Sequence, residues 1–169
     1  MRRFFCGIDP GLSGALALYD PNTKDVQIID MPTETIKKGK KKRTRVDLYE
    51  LARWIDVNAS AIIGAIIENV HTMPGQGVVS SGNFMRAFGN VEAAIASAFV
   101  PIAYVTPQKW KAFFGLGADK DGSRTKATEL SPMSTHWWTR KKDHGRAEAL
   151  LLAVYGSTEA NFLQRSLAA

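Results

Sequence analysis

The chain has 169 residues, with 22 Lys or Arg against 16 Asp or Glu, a formal net charge of +6 at pH 7. That length can bury a core without covalent staples, and the one cysteine, Cys6, can form no internal disulfide and reads as a small buried side chain in a reducing compartment. No apolar run approaches the roughly 20 residues of a membrane span, and the stretch after Met1-Arg2-Arg3 is broken by Asp9, so a strand is expected there rather than a secretory leader, in a cytoplasmic, membrane-free protein with a polyanionic partner.

Phe4 to Asp9 is an apolar run that ends in an acid. Pro10-Gly11 turns the chain, and Ala15 to Tyr19 and Val26 to Met31 read as two further strands, separated at Pro21-Asn22. Asp9 stands where the first strand meets its turn. A carboxylate there is costly to desolvate unless a divalent metal, a phosphate-bound metal or a basic side chain sits beside it. Alternatively Asp9 merely starts the turn, for which Asp-Pro-Gly is well suited.

Lys37-Lys38-Gly39-Lys40-Lys41-Lys42-Arg43-Thr44-Arg45 packs seven cations into nine residues. It reads as a basic loop over about 37–45 that is solvated, serves as a targeting signal or reaches along DNA. Val46 to Val57 carries Leu48, Leu51, Trp54 and Ile55 at helical spacing, with Asp47 near its start. Ala61 to Ile67 is nearly all apolar, the pattern of a buried central strand, and Glu68 follows it.

Met73-Pro74-Gly75-Gln76-Gly77 breaks the chain, and Phe84 to Phe99 reads as a long alanine-rich helix. Pro101 to Val105 is a short strand. Thr106-Pro107 pairs an N-cap with proline at the first helical position, leading into Trp110, Phe113 and Phe114 before Gly115-Leu116-Gly117. Ser123 to Leu130 and Ala147 to Tyr155 are the last helices. The order is mixed α/β, in one domain without internal repeats.

Near the C-terminal end, Asp143, His144 and Glu148 form a further group, and His144 and Glu148 stand four residues apart on one helical face. Asp143 either caps that helix or reaches back towards its face. Asp9, Glu68 and this group are acids inside a basic protein. Gathered carboxylates repel and need a compensating charge. Mg2+ or Mn2+ suits such oxygen donors, and two ions roughly 4 Å apart can activate water and stabilise a leaving oxygen in phosphodiester cleavage.

Gly7-Ile8-Asp9-Pro10-Gly11, Ile66-Ile67-Glu68 and Asp143-His144-Gly145-Arg146-Ala147-Glu148-Ala149-Leu150, in this order and spacing, resemble the RuvC family of Holliday junction resolvases, most of all its phage-borne branches. The resemblance covers residues 4 to about 156. It implies an RNase H-like fold, a five-stranded mixed sheet flanked by helices. It also implies a homodimer that nicks a four-way DNA junction symmetrically, with two Mg2+ per active site and Mn2+ able to substitute.

By this resemblance Asp9 would bridge both metals and Glu68 would bind one. Glu148 would stand where the family more often has aspartate. The family's remaining acid lies three residues before that position, where this chain has Gly145, so the resemblance favours His144, with Asp143 as its rival. DNA contacts are expected from Lys40, Lys41, Lys42 and Arg43 in the basic run. Lys109, Lys120, Arg124 and Lys126 are expected to hold phosphates, with Lys141 and Lys142 beside the acidic motif. Phe84 is a candidate to stack on an unpaired base. Two other readings stand beside the resolvase. One is an RNase H-like nuclease acting more broadly on flaps or forks. The other is a non-catalytic junction-binding protein, or a nucleotide-binding enzyme of the actin-like kinase class, although that class needs a longer chain.

Overall fold

The structure, a computed structural model, describes residues 3–39, 41–69, 77–117 and 120–158; Lys40, residues 73–76 of the predicted chain break and the side chains of Lys38, Lys41 and Lys120 lie outside the described part. Strands β1 (Phe4–Asp9), β2 (Ala15–Tyr19) and β3 (Val26–Asp30) form an antiparallel meander. A separate hairpin of β4 (Thr33–Lys38) and β5 (Lys41–Val46) follows, then helix α1 (Leu48–Ala59). Strand β6 (Ile62–Glu68) returns parallel to β1, helix α2 (Val78–Ser97) crosses over, and β7 (Ile102–Val105) pairs parallel with β6. Then come α3 (Pro107–Phe113), α4 (Lys120–Leu130), a 3-10 segment Pro132–Trp138, a 3-10 turn Lys141–Asp143 and α5 (His144–Thr158). The main sheet has the order β3-β2-β1-β6-β7, the five-stranded mixed arrangement expected.

Strand periodicity distributes the core. Phe4, Cys6 and Ile8 of β1 pack with Leu51 and Ile55 of α1 and with Val91 and Ile95 of α2. Phe5 faces the opposite layer, with Trp110 of α3 and Leu151, Leu152 and Tyr155 of α5. Burial pushes the Cys6 thiol up to about 12, so it stays protonated. A Cβ built on Gly7 would lie 2.0 Å from the Ala149 carbonyl oxygen, so α5 rests directly on the β1 backbone and position 7 must lack a side chain. α5 is buried nearly all round, from Ala149 to Gly156, because the sheet covers one side and α4 and the 3-10 segment cover others. Among the described residues, no helix is long and apolar enough to cross a membrane.

The cap predicted at Thr106 forms, and Asp47, expected only near a helix start, caps α1. The Asp47 carboxylate accepts from the Tyr49 and Glu50 amides, and the Thr106 hydroxyl accepts from the Lys109 amide with Pro107 at the first helical position. The basic run differs from expectation. Instead of a loop it builds most of the β4–β5 hairpin, paired from Thr33 opposite Val46 to Lys38 opposite Lys41. Gly39, at φ 62°, supplies the left-handed backbone of its turn. Most of this hairpin is solvated, so no apolar alternation betrays the strands. α2 also begins at Val78 rather than near Phe84; Val78 and Val79 are exposed and leave no apolar stripe to mark that first turn.

Candidate active site

Parallel pairing of β1 and β6 puts Gly7 opposite Ile66 and Ile8 opposite Ile67. The next residues in register are Asp9 and Glu68, so both acids stand at the carboxyl ends of adjacent central strands, where open α/β sheets bind ligands. α5 brings the third acid. Its first turn crosses the β1 end so closely that a Cβ on Gly145 would lie 2.8 Å from the Ser13 carbonyl oxygen and 3.2 Å from Asp9 Oδ2. Gly14 is equally constrained: a Cβ there would meet the Asp9 carbonyl oxygen at 2.2 Å. Glycines therefore let the β1–β2 turn and α5 close around the Asp9 carboxylate, and Glu148 sits one turn further along α5.

The three carboxylates are held from different sides. Asp9 Oδ1 accepts from the Gly11 amide at 3.2 Å. Glu68 Oε1 accepts from the Trp110 indole Nε1 at 2.8 Å, and Trp110 is fully buried. Glu148 Oε1 accepts from Ser123 Oγ at 3.3 Å and lies 3.7 Å from Lys111 Nζ. Burial, reinforced by the negative charge of Glu68, pushes the Asp9 carboxyl up to about 7; the Gly11 amide opposes this, Glu148 adds to it and Lys111 opposes it. Asp9 keeps some surface in contact with solvent, but the surrounding protein disfavours its charge. Burial also raises Glu68, against the Trp110 hydrogen bond and with a push from Glu148. Three acids thus share a half-buried site in which, among the described residues, Lys111 is the lysine paired with one of them.

Asp143 does not join them. Arg140 donates to it from Nη2 at 2.8 Å and from Nε at 3.0 Å, and the Arg140 amide adds a bond at 3.0 Å. Arg146 Nη1 stands 3.9 Å away, and Arg146 also grips Asp30 at the end of β3 through two bonds of 2.6 Å. The hydrogen bonds from Arg140 hold the Asp143 carboxyl down to about 2. Asp143 closes the capping box of the 3-10 turn that leads into α5, and Arg146 ties α5 to Asp30 on the edge strand β3. His144 opens α5 half-buried, next to the glycine that abuts Asp9.

Among the described residues, no three His, Cys, Asp or Glu side chains stand together as a finished metal shell; Trp110, Ser123 and Lys111 engage Glu68 and Glu148 instead. The donor set is nonetheless all oxygen, partly desolvated and in negative excess, which is the chemistry that Mg2+ and Mn2+ meet. Asp9, Glu68 and Glu148 are the residues that could hold such an ion.

The predicted DNA contacts fall into separate places. Lys42 and Arg43 are exposed on β5. Phe84 is half-buried on α2. Lys109 lies 5.9 Å from the Tyr155 ring centre, over α5. On α4, Arg124 pairs with Asp121 at 2.8 Å and Lys126 with Glu129. Lys141 and Lys142 are exposed in the 3-10 turn before α5. Lys40 is outside the described residues, as are the side chains of Lys41 and Lys120. Trp110, Lys111 and Ser123 were not singled out as site residues by sequence reasoning. Trp110 reads as a core aromatic, and nothing local announces that its N–H reaches an acid on another element. The sequence signal for Lys111 is its place one residue after Trp110 on a short capped helix.

Comparison with protein-family models and with curated protein sequences returned no match. Among solved structures, the chain is similar to Thermus thermophilus RuvC in complex with a Holliday junction substrate, at a TM-score of 0.58 and 14% identity, covering 92% of this chain and 96% of that one. It is similar also to another T. thermophilus RuvC structure, at a TM-score of 0.55 and 17% identity, covering 91% and 95%. The fold is thus the RuvC type of the RNase H-like class across nearly the whole described chain.

Proposed function

We propose that this chain is a divalent-metal-dependent endonuclease that resolves four-way DNA junctions as a homodimer. The observation that carries this reading is the meeting of Asp9, Glu68 and Glu148 at the carboxyl ends of β1 and β6, in a basic protein, with Lys111 too little to balance them. Support for the substrate comes from the fold, since a similar RuvC was solved on a Holliday junction.

In this reading Asp9, Glu68 and Glu148 would hold two Mg2+, or Mn2+ in their place, and His144 would either bind a metal or assist proton transfer, because Asp143 is committed to Arg140. When bound, the ions supply Lewis acidity towards the scissile phosphate and a more acidic attacking water. The protein's own part is positional. The Gly11 amide orients Asp9, the Trp110 indole orients Glu68, and Ser123 with Lys111 orients Glu148. Such outer partners fix ligand direction. Lys109, Lys120, Arg124, Lys126, Lys141 and Lys142 hold the DNA backbone, and Phe84 stacks on a base exposed at the crossover.

The test is cleavage of a synthetic four-way junction beside linear duplex, flap and fork DNA, with Mg2+, Mn2+ or chelator. Paired symmetric nicks confined to the junction, lost with chelator while binding persists, are the expected result. Equal cutting of flaps and forks would replace the resolvase by a broader branched-DNA nuclease. Binding without cutting would leave a junction-binding protein. Sedimentation of free and junction-bound protein tests the dimer.

A further inference from the structure

The β4–β5 hairpin carries a charge pattern that the acidic site does not explain. At its base the charges are balanced, because Glu34 stands opposite Arg45 and pairs with it at 2.8 Å. Towards its tip the register sets Lys37 opposite Lys42 and Lys38 opposite Lys41. Like charges directly opposite on paired strands destabilise a hairpin. A ribbon built this way gains from an anion that bridges the two strands.

One side of the hairpin packs towards α2, and the two elements enclose a narrow groove. Its polar lining comes from Arg43, Thr44 and Arg45 on β5 and from Asn83, Arg86 and Asn90 on α2, and Leu12 also lines it. On a helix, residues 83, 86 and 90 share a face, so α2 presents an amide–guanidinium–amide row to the hairpin. Among the described residues neither Arg43 nor Arg86 forms an ion pair, and both are exposed. Leu12 belongs to the same short turn as Gly11, whose amide binds Asp9. One lining residue of the groove thus belongs to the turn that also holds Asp9.

We infer that this groove is a binding track for the phosphodiester backbone of a DNA arm next to the cut. Guanidinium groups match phosphate oxygens in forked geometry, and carboxamides donate to the same oxygens without adding charge. The row of Arg43, Arg86 and the two asparagines would carry one strand's phosphates. The inference rests on the nuclease reading but concerns an arm of the substrate, not the chemistry at the cut.

The experiment measures junction affinity against salt in a cleavage-blocked Asp9→Asn background. Arg43→Gln/Arg86→Gln is compared with Arg43→Lys/Arg86→Lys. Both pairs are exposed positions, and thermal unfolding checks that each variant folds. Each lost phosphate contact should flatten the log–log salt slope by about 0.9, which at about 0.1 M salt weakens binding roughly eightfold per contact. The glutamine pair should therefore bind tens of fold more weakly with a slope lower by about 1.8, and the lysine pair should keep most of the slope. Unchanged affinity and slope in a folded glutamine pair would overturn the groove while leaving the nuclease reading intact. If the parent protein itself does not bind the junction, the nuclease reading fails first. Equal loss on a junction whose arms are trimmed too short to reach the hairpin would also overturn the track.

Discussion

Two acidic clusters lie within one turn of each other at the start of α5, and they differ in every electrostatic respect. Asp143 and Asp30 are met by Arg140 and Arg146, and hydrogen bonds from these arginines lower the proton affinity of both acids. Asp9 and Glu68 are partly buried beside Glu148, with Lys111 in reach among the described residues, and their proton affinities rise. The residue type is the same in both places. What differs is whether guanidinium groups come with the acids. A compensated cluster clamps elements together; an uncompensated one costs stability that a ligand can restore.

The largest expected effect tests the uncompensated side. Asp9→Asn should reduce junction cleavage by more than about 100-fold, beyond the loss typical of an outer-shell partner, while junction binding persists. Retained cleavage would break the comparison at its centre. Next comes Gly145→Ala, which introduces a Cβ against Ser13 and Asp9. It should cost about ten- to a hundredfold in cleavage rate, the scale of a small misplacement of a reacting group, and leave Asp143 and its arginines undisturbed.

The compensated side should answer in stability instead. Asp143→Asn should lower the unfolding midpoint by roughly 2–4 °C, the shift that one kcal/mol produces in a chain of this size, with cleavage largely retained. Loss of cleavage at an unchanged midpoint would make Asp143 a site residue and His144 the bystander. pH sharpens the contrast. In metal-free protein the folded Asp9 carboxyl, at about 7, holds its proton more tightly than the unfolded chain does, so its contribution to stability is present at low pH and lost as pH rises through about 7. Asp143, at about 2 when folded, contributes above the unfolded value and loses that contribution as pH falls towards about 2. The midpoint measured against pH should therefore peak between about 4 and 5. Asp9→Asn should flatten the upper limb, Asp143→Asn the lower one, and added Mg2+ should raise the midpoint more at high pH than at low pH. The smallest effect is expected for Ser123→Ala, which removes one 3.3 Å hydrogen bond to Glu148; a loss of cleavage of about fivefold corresponds to one ordinary hydrogen bond.

Much of this was legible in the chain. Apolar runs ending in Asp9 and Glu68 foretold two central strands with acids at their carboxyl ends, because a buried strand must be apolar and its first polar residue marks where it emerges. Asp47 and Thr106-Pro107 announced their helices for equally local reasons. The basic run was legible as charge but not as a hairpin, since a ribbon with solvent on most sides needs no apolar alternation. Nor could spacing choose between Asp143 and His144. That choice depends on Arg140 and Arg146 meeting Asp143, and on α5 lying so close to β1 that Gly7 and Gly145 bear no side chain. Trp110 reaching Glu68 and Ser123 reaching Glu148 are likewise contacts between residues far apart in the chain. Local pattern determines which segments are buried and where carboxylates emerge. Only tertiary packing decides which of those carboxylates are neutralised, because compensation is a matter of distance in space.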